Sequence, residues 1–126
     1  MDILKANFLE EFKRLTADAF KKGWHERNGG NLSYRVPSEE VRMVGSSLHP
    51  VEEWLPIGNH VPGLAGEYFL VTGSGKYMRN VEIAPEENAA LIQVDETGEN
   101  YGIVWGLING GRPTSELPTH LAAHER

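Results

Sequence analysis

The sequence contains no cysteine, so disulfides, thiolate nucleophiles and thiolate metal sites are all excluded. It also has no long hydrophobic run. Its purely apolar stretches are a few residues long, too short to cross a bilayer as a helix. Basic residues are few: 12 Lys and Arg stand against 18 Asp and Glu, a formal charge of −6. Binding nucleic acid through its phosphates needs clustered cations that displace counterions, and none are clustered here. No extended acidic block reads as a tail. The amino terminus begins acidic and amphipathic, not basic and then apolar, so it does not read as a signal peptide. What is present is ordinary for a folded domain: 126 residues, 40% hydrophobic and 24% charged, enough for a single core without metal or cross-links. The 14 glycines and 7 prolines predict a large share of loop.

Leu4, Phe8, Phe12, Leu15, Ala19 and Phe20 recur at three- and four-residue spacing, which predicts one amphipathic helix over the first twenty residues. Asp2 is its expected N-cap. Lys21 and Lys22 suit its carbonyl end, and Gly23 suits the position just beyond it. Leu32, Tyr34 and Val36 alternate with polar residues, predicting a strand from Asn31 to Val36 that Pro37 ends. Residues 37 to 66, punctuated by Pro37, Pro50, Pro56 and Pro62, read as a long loop with short extended pieces. Further strands are expected at Tyr68 to Thr72, Ala90 to Val94 and Tyr101 to Leu107, with Asp95 to Asn100 as a hairpin loop. A last helix is expected after Pro113, with Thr114 or Ser115 as N-cap and Glu116 in its first turn.

Three polar clusters carry possible chemistry. Arg27-Asn28-Gly29-Gly30-Asn31 offers backbone N–H groups freed by adjacent glycines and two side-chain amides. Spacing alone favours an ordinary turn, though the loop is also suited to an oxyanion or phosphate. Thr72-Gly73-Ser74-Gly75-Lys76 follows a buried strand but fails GxxxxGK[ST], because strand residues precede it and Tyr77 follows Lys76. It is either a small-residue phosphate cradle or a plain loop. In Pro113-Thr114-Ser115-Glu116-Leu117-Pro118-Thr119-His120 the carboxylate either complements the helix dipole or acts as a general acid/base. Glu116, His120 and His124 share one helical face, as metal ligands or as a solvated surface.

Taken in order, WHERNGGNLSYR, FLVTGSGKYMRNV, VDETGENYGIVWGL and PTSELPTHLAAHER resemble the bacterial rhamnulose-1-phosphate aldolases of the zinc-dependent class II aldolase/adducin superfamily. The resemblance runs from the first helix to the last residue and is weakest between residues 37 and 66. It implies an α/β fold, an αβα sandwich around a central, largely antiparallel sheet, with residues 1 to 126 forming a single domain. It also implies retro-aldol cleavage of L-rhamnulose 1-phosphate to dihydroxyacetone phosphate and L-lactaldehyde. On the matching positions, Asn28, Gly30 and Asn31 would hold the phosphate and adjoining substrate. Ser74 and Gly75 would complete the cradle and Ser115 would add a hydroxyl. Glu116 would be the acid/base carboxylate, in a dry pocket.

The family's zinc is held by three histidines, two in a His-x-His soon after the Glu helix and one much later. His25, His49, His60, His120 and His124 do not match those positions, and the chain ends at Arg126 before them. The expectation is therefore an N-terminal portion of the family domain, incomplete at its C-terminus, holding no zinc and inactive alone. The resemblance further implies a sugar-phosphate partner, no nucleic acid, no membrane, a cytoplasmic location and a homo-oligomer, tetrameric in intact members. The competing readings are a non-catalytic adducin-like scaffold, and a fuculose-phosphate aldolase or ribulose-phosphate epimerase.

Overall fold

A strand that is apolar on both faces must be covered on both. Tyr68–Thr72 (β3) is such a strand, and Ala89–Val94 (β4) is another. In the computed structural model, which describes residues 1–21, 32–73, 78–108 and 110–126, both lie inside a five-stranded sheet. The remaining strands are Ser33–Val36 (β1), Leu55–Pro56 (β2) and Asn100–Gly106 (β5). The order is β1-β3-β4-β5-β2, and every pairing is antiparallel.

The period-two alternation along β3 and β4 divides the core into two layers. Leu70, Leu91 and Trp105 face one way, against Phe8, Leu9 and Phe12 of the helix Asn7–Lys21 (α1). The helix Met78–Ile83 (α3) adds Val81 to that layer. Phe69, Val71, Ile92 and Val94 face the other way, against Leu117 and Leu121 of the helix Leu117–Glu125 (α5). The result is the expected αβα sandwich. Both layers are dry, so each contributes roughly 25 cal/mol for every Å² of apolar surface withdrawn from water.

Several expectations are corrected. The first twenty residues are not one helix. Asp2 caps a 3-10 turn at Ile3–Lys5, accepting from the Leu4 N–H at 3.1 Å, and Ala6 is extended before α1 begins at Asn7. The buried residues are Ile3, Ala6, Phe8, Leu9 and Phe12, whereas Leu4, in the 3-10 turn, and Leu15, at the edge of the α1 stripe, are 43% and 48% exposed. Thr16 is buried on the same face, because its hydroxyl donates to the Lys13 carbonyl at 2.8 Å. The side chains of Ala19 and Phe20, together with Lys22 and Gly23, lie outside the described residues.

The segment read as a long loop contains a helix, Ser38–Met43 (α2), plus 3-10 turns at Gly45–Ser47 and Pro62–Leu64. Pro37 ends β1 as expected but also starts α2, with Glu39 and Glu40 favourably placed in its first turn. Between β3 and β4 lie α3 and Pro85–Asn88 (α4), neither of which the pattern predicts. Helices this short depend on tertiary contacts. Asn88 is the local tie, donating through Nδ2 to the carbonyls of Ala84 at 2.8 Å and Asn80 at 3.2 Å.

The β4–β5 hairpin is held by Asp95. Its Oδ1 accepts from the N–H groups of Thr97, Gly98, Glu99 and Asn100, and its Oδ2 from Asn100 Nδ2. Lost hydration works to raise the pKa of this carboxyl, but the donated hydrogen bonds outweigh it and hold the group far below the usual carboxylate range. The hairpin is therefore supported at neutral pH and loses that support only as strong acid protonates Asp95. At the far end of β5, Gly106 has φ +93°, and a Cβ there would sit 2.2 Å from the Ala89 carbonyl oxygen. Gly106→Ala is expected to destabilise the fold by on the order of 3 kcal/mol, through combined backbone strain and collision. Chemical denaturation of the two proteins measures this.

Candidate functional site

At the C-terminal end of β3, Thr72 joins Leu32, which follows the first cluster, to Thr114 of the third. Thr72 is 3% exposed, so each of its polar groups needs a partner. Its N–H donates to the Leu32 carbonyl at 3.1 Å, and its Oγ1 accepts from the Leu32 N–H at 3.2 Å. Its carbonyl accepts from the Thr114 N–H at 2.9 Å. The next residue, Gly73, forms an isolated bridge with Pro113. One buried threonine thus fixes the exit of the first cluster, the start of the second and the start of the third.

The third cluster leads into α5. The buried Thr114 hydroxyl accepts from the Glu116 N–H at 3.2 Å, and the Thr114 carbonyl accepts from the Leu117 N–H at 3.1 Å. Glu116 occupies the N-cap position itself, with φ −87° and ψ 9°, and its carboxylate makes no capping bond. Thr114 supports the turn instead, so Glu116 is not consumed by helix capping and lies one residue before the helix, not in its first turn. Leu117 and Leu121 anchor α5 to the sheet, which leaves Ser115 and Glu116 exposed. In this chain Glu116 lies on an open surface. Beside Ser115 lies a shallow cavity of about 250 Å³, lined in part by Pro56, Tyr101, Arg112 and Thr114. Burial pushes the Tyr101 phenol up; the Arg112 charge opposes this and Glu53 adds to it. A larger cavity of about 430 Å³ lies elsewhere, along β5 near Glu52, Glu53, Ile103 and Ile108.

A second tie runs from β1 to α5. Ser33 Oγ lies 2.8 Å from His120 Nδ1 and 2.9 Å from His124 Nε2. The His124 ring also packs on Phe69, with centroids 5.0 Å apart. Both imidazoles converge on a serine hydroxyl. Among the described residues, no three His, Asp or Glu side chains form a donor set for a metal ion.

Residues 10–126 match the family described as Class II Aldolase and Adducin N-terminal domain. The chain belongs to this family. It is 45% identical over 123 residues to a rhamnulose-1-phosphate aldolase from Mannheimia succiniciproducens, an alignment covering 98% of this chain and 45% of the relative. Rhamnulose-1-phosphate aldolases from Escherichia coli O157:H7 and Listeria innocua are 42% and 45% identical, with the same coverage of both partners. Among solved structures, a sugar-phosphate aldolase from Thermotoga maritima superimposes with a TM-score of 0.69 at 30% identity, covering 93% of this chain and 45% of that one. The chain thus spans a little under half the length of the relatives it matches.

Of the site residues expected for a class II aldolase, Ser115 and Glu116 are described, adjacent and exposed. Asn28, Gly30, Asn31, Ser74 and Gly75 lie outside the described residues. Their flanking residues Leu32 and Gly73 are described, and both are tied to the joint at Thr72 and Pro113. Sequence reasoning missed Ser33, Tyr101 and Arg112. Ser33 alternates with Leu32 and Tyr34, which marks it for the opposite face of β1, and α5 covers that face. Nothing in the linear pattern places Tyr101 beside Arg112.

Thr72→Val keeps the shape of the joint and removes the acceptor for the Leu32 N–H. It is expected to cost about 1–2 kcal/mol, with amide shifts concentrated at residues 32, 73 and 114, whereas Thr72→Ser restores both. Denaturant titrations and amide spectra of the two variants provide the measurement.

Proposed function

We propose that this chain provides the phosphate-positioning and proton-transfer part of a rhamnulose-1-phosphate aldolase. The reaction is reversible cleavage of L-rhamnulose 1-phosphate to dihydroxyacetone phosphate and L-lactaldehyde. The observation that supports this most is the convergence at Thr72, which gathers the stems of all three polar clusters at one end of the sheet. On this reading Asn28, Gly30, Asn31, Ser74 and Gly75, with the Ser115 hydroxyl, hold the phosphate by neutral donors. Backbone N–H groups of glycine-rich turns suit an anion of that shape.

Glu116 is the proton carrier. In the cleavage direction a base takes the proton of the substrate hydroxyl whose carbon becomes the aldehyde. The adjoining carbon–carbon bond then breaks, and its electron pair passes into the enediolate of dihydroxyacetone phosphate. A proton delivered to the enediolate carbon that lost the bond completes dihydroxyacetone phosphate. A carboxylate without a capping partner, one residue from a phosphate-holding hydroxyl, is positioned for such a transfer. The described residues offer no donor set for the family's zinc, so no step is assigned to a metal on this chain.

A homo-oligomer, tetrameric as in intact family members, belongs to the same proposal. Ile83 and Ile108, 78% and 66% exposed, support it as apolar surface that association would cover. So does a cytoplasmic location, since a doubly charged sugar phosphate does not diffuse across bilayers.

Isothermal titration with dihydroxyacetone phosphate tests the phosphate assignment. Ser115→Ala is expected to weaken binding about fivefold, the equivalent of one hydrogen bond, while Glu116→Ala leaves it within twofold. Equal binding by the wild type and Ser115→Ala overturns the assignment, and an absence of binding by the wild type favours the scaffold reading. The isolated chain with added Zn²⁺ is expected to show no turnover and to retain less than one zinc per chain after dialysis. Stoichiometric zinc with turnover refutes that part.

A further inference from the structure

We propose that His120 and His124 are positioning residues for Glu116, forming with Ser33 a proton-sensitive clasp that fixes the start of α5 to β1. The geometry carries the argument. A hydroxyl has one proton to donate, so Ser33 Oγ donates to one imidazole and accepts from the N–H of the other. Both bonds form only while the accepting ring is unprotonated. The clasp joins the residue following Leu32 to the helix whose N-cap is Glu116, and His120 sits one turn from that carboxylate, with its backbone N–H donating to the Glu116 carbonyl at 3.0 Å. Releasing the clasp leaves α5 held by the joint at Thr72, by the burial of Leu117 and Leu121 and by Glu125 on the Gly63 N–H.

The surroundings favour neutral rings. Burial lowers the pKa of His120, and the Glu116 charge opposes it. Burial, His120 and Arg35 all lower that of His124. From β1 the charged group facing the pair is Arg35, which is bound in turn by Glu67 ahead of β3; β3 itself contributes the uncharged Phe69 ring. Within α5, Glu125 is engaged on the Gly63 N–H at 2.8 Å. Two rings with depressed pKa values give a clasp that is complete above pH ~6.5 and opens as the pH falls through the lowered values.

The consequence for catalysis rests on Glu116 being the proton carrier, but the clasp can be read without substrate. The experiment is histidine NMR titration of the 126-residue chain from pH 8 to 5, with α5 amide exchange corrected for its intrinsic pH dependence. Both histidines are expected to titrate below 6.5. Protection of α5 is expected to fall more than tenfold across the same window. In Ser33→Ala that protection is already low at pH 8 and changes less than twofold. The double variant His120→Gln and His124→Gln, which keeps donors and acceptors but cannot titrate, retains protection at pH 5. Histidines titrating at 6.5 or above, or α5 protection that is independent of pH in the wild type, overturns the clasp. Should Ser33→Ala not fold, the Gln variant decides: loss of protection at pH 5 there overturns it equally. Failure of the aldolase reading appears only in the substrate titrations and leaves these readouts untouched.

Discussion

Thr72 must satisfy an N–H, a carbonyl and a hydroxyl at a place where water is almost absent, and it does so with partners from two distant segments. An unpaired buried polar group costs about 1–3 kcal/mol, so each bond is enforced by the cost of leaving it unmade. Because the partners are backbone groups, what is enforced is the path of the chain. Leu32, Gly73 and the turn before α5 cannot drift independently. A site composed of loops gains the precision of a strand in this way, since β3 is held on both sides by neighbours and on both faces by core.

The two-layer sandwich explains why the site sits where it does. Alternation along β3 sends Leu70 to the α1 layer and Phe69 and Val71 to the α5 layer, and the pattern ends at Thr72. Beyond that point no apolar residue demands cover, so the chain is free to present polar groups. Leu117 and Leu121 then orient α5 by burial, which leaves Ser115 and Glu116 on the outside of the turn. Hydrophobic packing thereby aims a carboxylate that no hydrogen bond within the described residues directs.

Much of this was legible in the sequence where one force dominated. Tyr68 to Thr72 was read at its observed limits because five residues without alternation admit few alternatives. The β4–β5 hairpin was read within one residue, since Asp95 and Gly98 supply a turn's hydrogen bonds and its positive φ. The family was legible from the order of four motifs, and matching over residues 10–126 agrees. What was not legible depended on contacts between distant residues. α2, α3 and α4 are too short for periodicity to declare them, and Asn88 stabilises α3 and α4 only once they are folded together. Leu4 and Leu15 looked like core residues, but Leu4 falls in a 3-10 turn and the buried face of α1 runs through Leu9, Phe12 and Thr16. Glu116 and Ser115 were identified by motif, yet their exposure follows from the packing of α5, which no local pattern encodes.

The ties that define the site also have a place in time. The Thr72–Leu32 bond spans 40 residues, and the bonds from Ser33 to His120 and His124 span 87 and 91. By contrast, β4 and β5 are joined by a short turn and pair early at little entropic cost. Closing long loops costs more chain entropy and is rewarded only after the strands at both ends have formed. The hairpin core therefore precedes the site along the folding path, and the site is the first part lost in partial opening.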